Sequence, residues 1–276
     1  MRLSPRHPRY RSLRVRAGLA ASARSGLVVP EGLIAHGRGE AFDYLLGERT
    51  QPSARKATRV AAAWIAAARR PVLSVNGNVA ALAAREVAEV QRAWPALGIE
   101  VNLFHRTPRR VALVARALRR AGVRDLLGEH ATGRIPGLPS DRARVDPAGI
   151  AVADVCVVPL EDGDRTRALR RLGKRVVAID LNPLSRTSRE ASLPIVDELT
   201  RTLRHLASDL EKLRTAGRRP GAFAPFDAAA ALSAAHAAIE RNLRRAARAR
   251  SPPSSPPARG ARRPTRGTTR PNGRRH

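Results

Sequence analysis

Four polar segments hold residue types suited to phosphate and carboxylate chemistry. LSVNGNVAAL sets Asn76 and Asn78 on either side of a glycine, and EVNLFHRT holds Asn102 and Arg106. VPLEDGDRT gathers Glu161, Asp162 and Asp164, with Arg165 next, and IDLNPLSRT joins Asp180, Asn182, Arg186 and Thr187. Guanidinium forks grip phosphate oxygens in pairs. Neighbouring acids can accept a proton, or share Mg²⁺ with phosphate oxygens, as Asp162 or Asp164 would here. An aspartate at a strand end, such as Asp180, can bind a ribose hydroxyl. Each segment also has a plainer reading: Asn-Gly is a common turn, and Asp164 is well placed to cap a following helix. Upstream, GLIAHGRGE has glycines at 32, 37 and 39, which let a backbone approach a ligand closely, while His36, Arg38 and Glu40 alternate along it.

Positioning these segments requires a frame, and the apolar pattern supplies one. Residues 71–75, 99–104, 154–160, 175–180 and 194–196 read as buried strands. Helices are expected over about 11–25, 52–70, 79–94, 107–121, 164–172 and 198–213, with Thr107 as a cap and Pro108 in the first turn. This alternation predicts an α/β fold: a Rossmann-like, mostly parallel sheet with helices on both faces, preceded by a helical and glycine-rich N-terminal segment. In such sheets ligands collect outside the carboxyl ends of the strands, and each of the four polar segments runs past a strand end. Several lead into helix N-termini, where backbone N–H groups and the helix dipole favour phosphate.

Composition narrows the partners. Of 276 residues, 52 are Lys or Arg against 23 acids, a net charge of +29, and only Lys56, Lys174 and Lys212 are lysines. Such a chain suits polyanions, either phosphorylated small molecules or nucleic acid. An aromatic content of 3% leaves few stacking platforms for single-stranded nucleic acid. The single cysteine, Cys156, excludes an internal disulfide framework and reads as a small buried hydrophobe in mid-strand. Apolar runs fall well short of the roughly 20 residues of a membrane span, and the arginine- and proline-rich start has no apolar signal region, so the expected location is cytoplasmic with no membrane partner. There is no Walker A pattern, no G-x-G-x-x-G after a strand and no G-x-S-x-G elbow. A nicotinamide-dependent reductase therefore lacks its fingerprint.

The same segments carry a family likeness. HPRY (from His7), GLIAHGRGEAFDYLLGERT (from Gly32), LSVNGNVAAL, EVNLFHRT, IPGL (from Ile135), VPLEDGDRT and IDLNPLSRT resemble archaeal phosphopantothenate synthetase, 4-phosphopantoate–β-alanine ligase, over about residues 6–213. The resemblance implies a Rossmann-like homodimer. It implies condensation of 4-phosphopantoate with β-alanine, using ATP and Mg²⁺, with AMP and diphosphate released, in coenzyme A biosynthesis. Carried over, the ATP contacts are Arg16, Arg38, Asp180, Leu181, Asn182, Arg186, Thr187, Glu198 and Leu199. At Glu198 the family usually has asparagine, so a side-chain contact there would change character. From residue type alone, His36, Asp162 or Asp164 would accept the amine proton, Arg106 and Arg165 would hold phosphate, and Asn76, Asn78 and Asn102 would orient substrate.

The charge is uneven along the chain. Gly217 to His276 holds 14 arginines and two acids. Residues 1–216 read as the catalytic domain, 217–250 as an Ala/Arg-rich helix, loosely docked, and 251–276 as a disordered basic tail. The competing reading is an RNA-binding or scaffold protein acting through that tail. Removing residues 217–276 would then abolish such binding and leave catalysis nearly intact.

Overall fold

The computed structural model describes Ser4, Arg6, His7 and residues 9–249, so the expected tail lies outside the described residues. Three helices come first: α1 (Tyr10–Arg24), α2 (Pro30–Leu46) and α3 (Pro52–Ala67). Then follow β1 (Pro71–Val75), α4 (Gly77–Ala93), β2 (Gly98–Val101), α5 (Pro108–Ala121) and β3 (Leu126–Leu127). A crossover carries a two-stranded antiparallel ladder, β4 (Gly133–Arg134) with β5 (Arg144–Val145), and a 3₁₀ turn at Asp141–Ala143. The second half is β6 (Val155–Pro159), α6 (Gly163–Arg171), β7 (Arg175–Ile179), α7 (Arg186–Glu190), β8 (Leu193–Ile195), α8 (Leu199–Thr215) and α9 (Ala228–Ala249).

The main sheet runs β3-β2-β1-β6-β7-β8, and every pairing in it is parallel. The chain reverses direction of travel between β1 and β6, which opens a crevice at their carboxyl ends. Strand side chains alternate between two cores, as a period of two requires. Leu73, Val75, Ile99, Val157, Val177 and Ile179 join the core of α3, α4, α5 and α8. Val72, Cys156, Val158, Val176 and Ala178 face Leu169 of α6 together with Ile135, Val145 and Ile150 of the crossover. The second face is thus covered by irregular chain as well as by helix. Cys156 is fully buried there, and burial pushes its thiol up to about 12.

Local chemistry explains the ends of the elements. Thr107 accepts from the Arg110 N–H and Pro108 opens α5, as the spacing predicts. The helical, glycine-rich N-terminal segment is as expected, and its glycine-rich stretch forms part of α2, so His36 and Glu40 share a helical face with Arg38 off it. One expectation is corrected. The cap of α6 is Asp162, whose carboxylate accepts from the Arg165 N–H at 2.7 Å, and Asp164 lies inside the helix. Helix α9 docks through a small patch: Ala235 and Ala238 are buried against Leu46 and Val196, and Asn242 Nδ2 donates to the Leu45 carbonyl at 2.9 Å.

Candidate active site

The carboxyl ends of β1 and β6 are strapped together by one side chain. Asn76 Nδ2 donates to the carbonyls of Pro159, at 3.3 Å, and Leu160, at 3.0 Å. Its Oδ1 caps α4 by accepting from the Val79 N–H at 3.0 Å. Leu160, on the other side of the strap, holds a left-handed φ of 50°, a conformation a leucine adopts only under tertiary constraint. Asn78 also serves packing: its Nδ2 donates to the Gly32 carbonyl at 2.7 Å, and a Cβ at Gly32 would lie 2.3 Å from Asn78 Oδ1. Glycine is what lets α2 come this close to α4.

Beside the strap lies a basic nest. Arg142, from the 3₁₀ turn, places Nη1 at 2.8 Å from Glu161, and Nε at 3.2 Å from Asp162 but misaligned for a hydrogen bond. Glu161 also binds Arg165, which donates to Ser74 Oγ at 3.1 Å and is fully enclosed under β1 and β6. Burial works against the Glu161 charge, but Arg142 and Arg165 outweigh it and hold the carboxyl below its usual range. Burial, with Glu161 next to it, raises the Asp162 carboxyl. Arg106 Nη2 donates to the Gly128 carbonyl at 2.5 Å, and Arg110 is held by the carbonyls of His105 and Leu27. Burial lowers the guanidinium pKa of Arg106, Arg110 and Arg142 alike. Arg106 Nη1 and Arg110 Nε are buried with no protein partner, as are Nε and Nη2 of Arg165, whereas Arg142 Nε faces the Asp162 carboxylate. Asn102 donates to the carbonyls of Arg142 and Arg144 and has its Oδ1 buried and unpartnered. Buried polar groups in a native fold have partners, so Arg106 Nη1 and Arg110 Nε call for an acceptor and Asn102 Oδ1 for a donor.

A second cluster lies over β7. The Asp180 carboxylate accepts from the Asn182 N–H at 3.0 Å and from Ser185 Oγ at 2.6 Å, which folds residues 180–185 into a tight loop with Leu181 half-buried. Burial raises this carboxyl, and the Arg38 charge on α2 opposes the rise. Arg186 reaches Asp164 at 2.5 Å on the surface, and Thr187 Oγ1 donates to the Glu161 carbonyl at 2.7 Å. These two contacts join the Asp180 loop to the basic nest. Gly163 sits at the join: a Cβ there would fall 2.3 Å from Arg186 Cβ.

A third cluster links α2 to the start of α8. Glu198 caps α8, accepting from the N–H groups of Thr200 and Arg201, both at 2.9 Å. Its carboxylate is therefore engaged with its own helix. Leu199 has its side chain in the core, which leaves only its backbone for a ligand. Arg201 ties Asp43 of α2, at 2.5 Å, to Asp197, at 2.8 Å. His36 is half-buried with Nε2 enclosed and unpartnered; burial lowers its pKa, against the charges of Glu40 and Glu198. Glu40 is occupied by Ser12, Tyr44 and Arg16, the last at 3.0 Å.

The model of the phosphopantothenate/pantothenate synthetase family matches residues 53–242. The chain belongs to this family. Similar curated proteins include one from Methanospirillum hungatei, 54% identical over 73% of this chain and 82% of its own length. Another, from Thermococcus onnurineus, is 54% identical over 71% of this chain and 75% of its own. A third, from Methanosarcina mazei, is 49% identical over 75% and 81%. All three are named 4-phosphopantoate–β-alanine ligase. The family match runs through most of α9, well beyond the stretch over which the motifs carry the likeness.

On this synthetase fold, Asn102, Arg106, Asp162 and Arg165 come together around β2 and β6. Arg38, Asp164, Asp180, Leu181, Asn182, Arg186 and Thr187 come together around β7. Arg16, His36, Glu198 and Leu199 lie around α2 and α8. Three expected direct contacts change character. Arg165 has no exposed surface for a phosphate, and Asn76 and Asn78 spend their amide nitrogens on backbone carbonyls, so all three shape the site from beneath. Arg110 and Arg142 are not signalled by sequence: Arg142 is one arginine among 49, in a stretch without periodicity. Glu161 stands in the three-acid segment, where the expected roles fall to Asp162 and Asp164 instead.

Proposed function

We propose that this chain is an ATP-dependent ligase that joins 4-phosphopantoate to β-alanine, giving 4′-phosphopantothenate, AMP and diphosphate, for coenzyme A biosynthesis. The observation that carries this reading is the pair of buried, unpartnered guanidinium nitrogens, Arg106 Nη1 and Arg110 Nε, at the carboxyl edge. They suit the phosphate of one substrate, while the Asp180–Thr187 loop and Arg38 lie where a nucleotide would meet them.

Chemically, the carboxylate of 4-phosphopantoate attacks the α-phosphorus of ATP, the bond to the β-phosphate oxygen breaks, and diphosphate leaves. The β-alanine amine then attacks the acyl carbon, the acyl–phosphate bond breaks, and AMP departs with both electrons of that bond. The arginines hold two polyanions in register and offset the charge that builds on phosphate oxygens. His36, neutral near pH 7 because burial lowers its pKa, takes the amine proton at Nε2. Mg²⁺ fits here as an ion carried by ATP, with Asp164 as the more open carboxylate: it is exposed, whereas Asp162 is committed to its cap and faces Arg142. Bound there, Mg²⁺ would draw charge from the phosphate oxygens. Two copies of the chain form the working enzyme in the cytoplasm.

The test is a product assay on purified protein with ATP, Mg²⁺, 4-phosphopantoate and β-alanine, omitting each in turn. AMP and diphosphate are expected only when 4-phosphopantoate is present, and 4′-phosphopantothenate only with both substrates. ADP and phosphate would overturn the adenylate route, and a folded protein without turnover would overturn the reading.

A further inference from the structure

Opposite the carboxyl edge, at the amino ends of β7 and β8, lies a cleft of about 710 Å³ that the ligase chemistry leaves unused. Arg175 opens β7 and Ser192 precedes β8, and both line it. The volume falls in the range of small-molecule sites, about 300–1,000 Å³. One wall is aromatic. Trp64 Nε1 donates to the Ala224 carbonyl at 2.7 Å, which draws the segment before α9 across the sheet and sets Phe223 edge-on to the indole at 6.2 Å. The other wall is cationic, with Arg170, Arg175 and Arg189, and no carboxylate lines the cleft among the described residues.

The guanidinium groups are arranged rather than scattered. Arg175 lies 4.4 Å from the Phe223 ring centre and 5.1 Å from that of Trp64, so two rings hold it while its N–H donors stay free. Arg170 spends one nitrogen on the Glu190 carbonyl, at 3.1 Å, and keeps the rest. The Glu190 carboxylate feels the Arg170 charge but is bound by Arg167 at 2.5 Å and does not line the cleft. Three cations that line one cleft with no carboxylate among its lining favour an anion there. A bare phosphate would leave the aromatic wall and most of the volume empty.

We propose that this cleft is a second ligand site that takes a nucleotide, its phosphates on Arg170, Arg175 and Arg189 and its base against the partly exposed Phe223 and Phe226. The site is independent of the ligase reading, because none of its residues belongs to the carboxyl edge. Trp64 and Trp94 are the chain's two tryptophans, and only Trp64 lines the cleft. In a Trp94→Phe background, titration with ADP therefore reads the cleft through Trp64 fluorescence. Saturable quenching with a Kd below about 1 mM is expected, weakened at least about tenfold in Arg175→Ala/Arg189→Ala, whose turnover stays unchanged. No response of Trp64 to ADP, or quenching that survives the double substitution, overturns the site. Diphosphate matching ADP in affinity overturns the nucleotide and leaves a polyphosphate site. If Trp94→Phe does not fold, the same comparison runs with Trp94 in place, where it adds a constant signal.

Discussion

At the scale of single residues, burial sets the chemistry more than residue type does. His36 and Glu100 show this in opposite directions. Burial lowers the His36 imidazole below its ordinary value of 6.5, so the free base dominates at neutral pH. The acidic limb of kcat/KM should then lie below that value, and His36→Asn should abolish the limb and lower kcat about a hundredfold. A limb unchanged in the variant would remove His36 from proton transfer. Glu100 lies fully buried at β2, where it accepts from the N–H groups of Asp146, at 3.1 Å, and Ile150, at 2.6 Å. Burial raises its carboxyl to about 7. An acid whose pKa rises on folding lends stability while protonated, fully below its unfolded value, and loses that contribution as pH climbs through the folded one. Unfolding free energy should therefore fall by on the order of 1–3 kcal/mol between about pH 5 and about pH 8. Glu100→Gln should flatten that slope, which denaturant titration at several pH values checks. Residue types in the motif segments were legible, but which of them kept free polar atoms was not: the amides of Asn76 and Asn102 differ only in what the crossover and β6 bring to them.

At the scale of elements, α2 is the exposed piece of the site and depends on its neighbours. Leu46 is its one buried residue in that helix's own pattern. It is held by Asp43 on Arg201, by Gly32 against Asn78, and by α9 through Asn242 and the Leu46–Ala235–Ala238 cluster. Removal of residues 217–276 should therefore cost most of the activity, in contrast to the sequence expectation, because it takes away α9. Removal of residues 250–276 should leave activity near the full-length value, since α9 stays. Equal activity of the two truncations would show that α9 does not position α2. Strands and long helices could be read from apolar period. The α2 helix could not, since its three glycines and weak apolar stripe imitate a loop. Helix α9 is legible as a loosely docked helix, but not where it docks, because its partners lie about two hundred residues earlier.

At the scale of the whole molecule, the chain carries a net charge of +29, and the substrates proposed for it are polyanions. The resulting field should speed their encounter, so kcat/KM should fall as ionic strength rises while kcat changes little. A salt-independent kcat/KM would mean that the arginine excess does not act on substrate capture. The sequence by itself determined the parallel α/β class, the order of polar segments past strand ends and the family, because each is written in short-range patterns of residue type. Tertiary structure decided the rest. It turned Asn76 into a strap, sealed Arg165 beneath the sheet, brought Arg142 from the crossover onto Glu161, and tied the glycine-rich helix to the far end of the chain. These outcomes depend on which buried donors find partners across distant segments, and local sequence does not encode that.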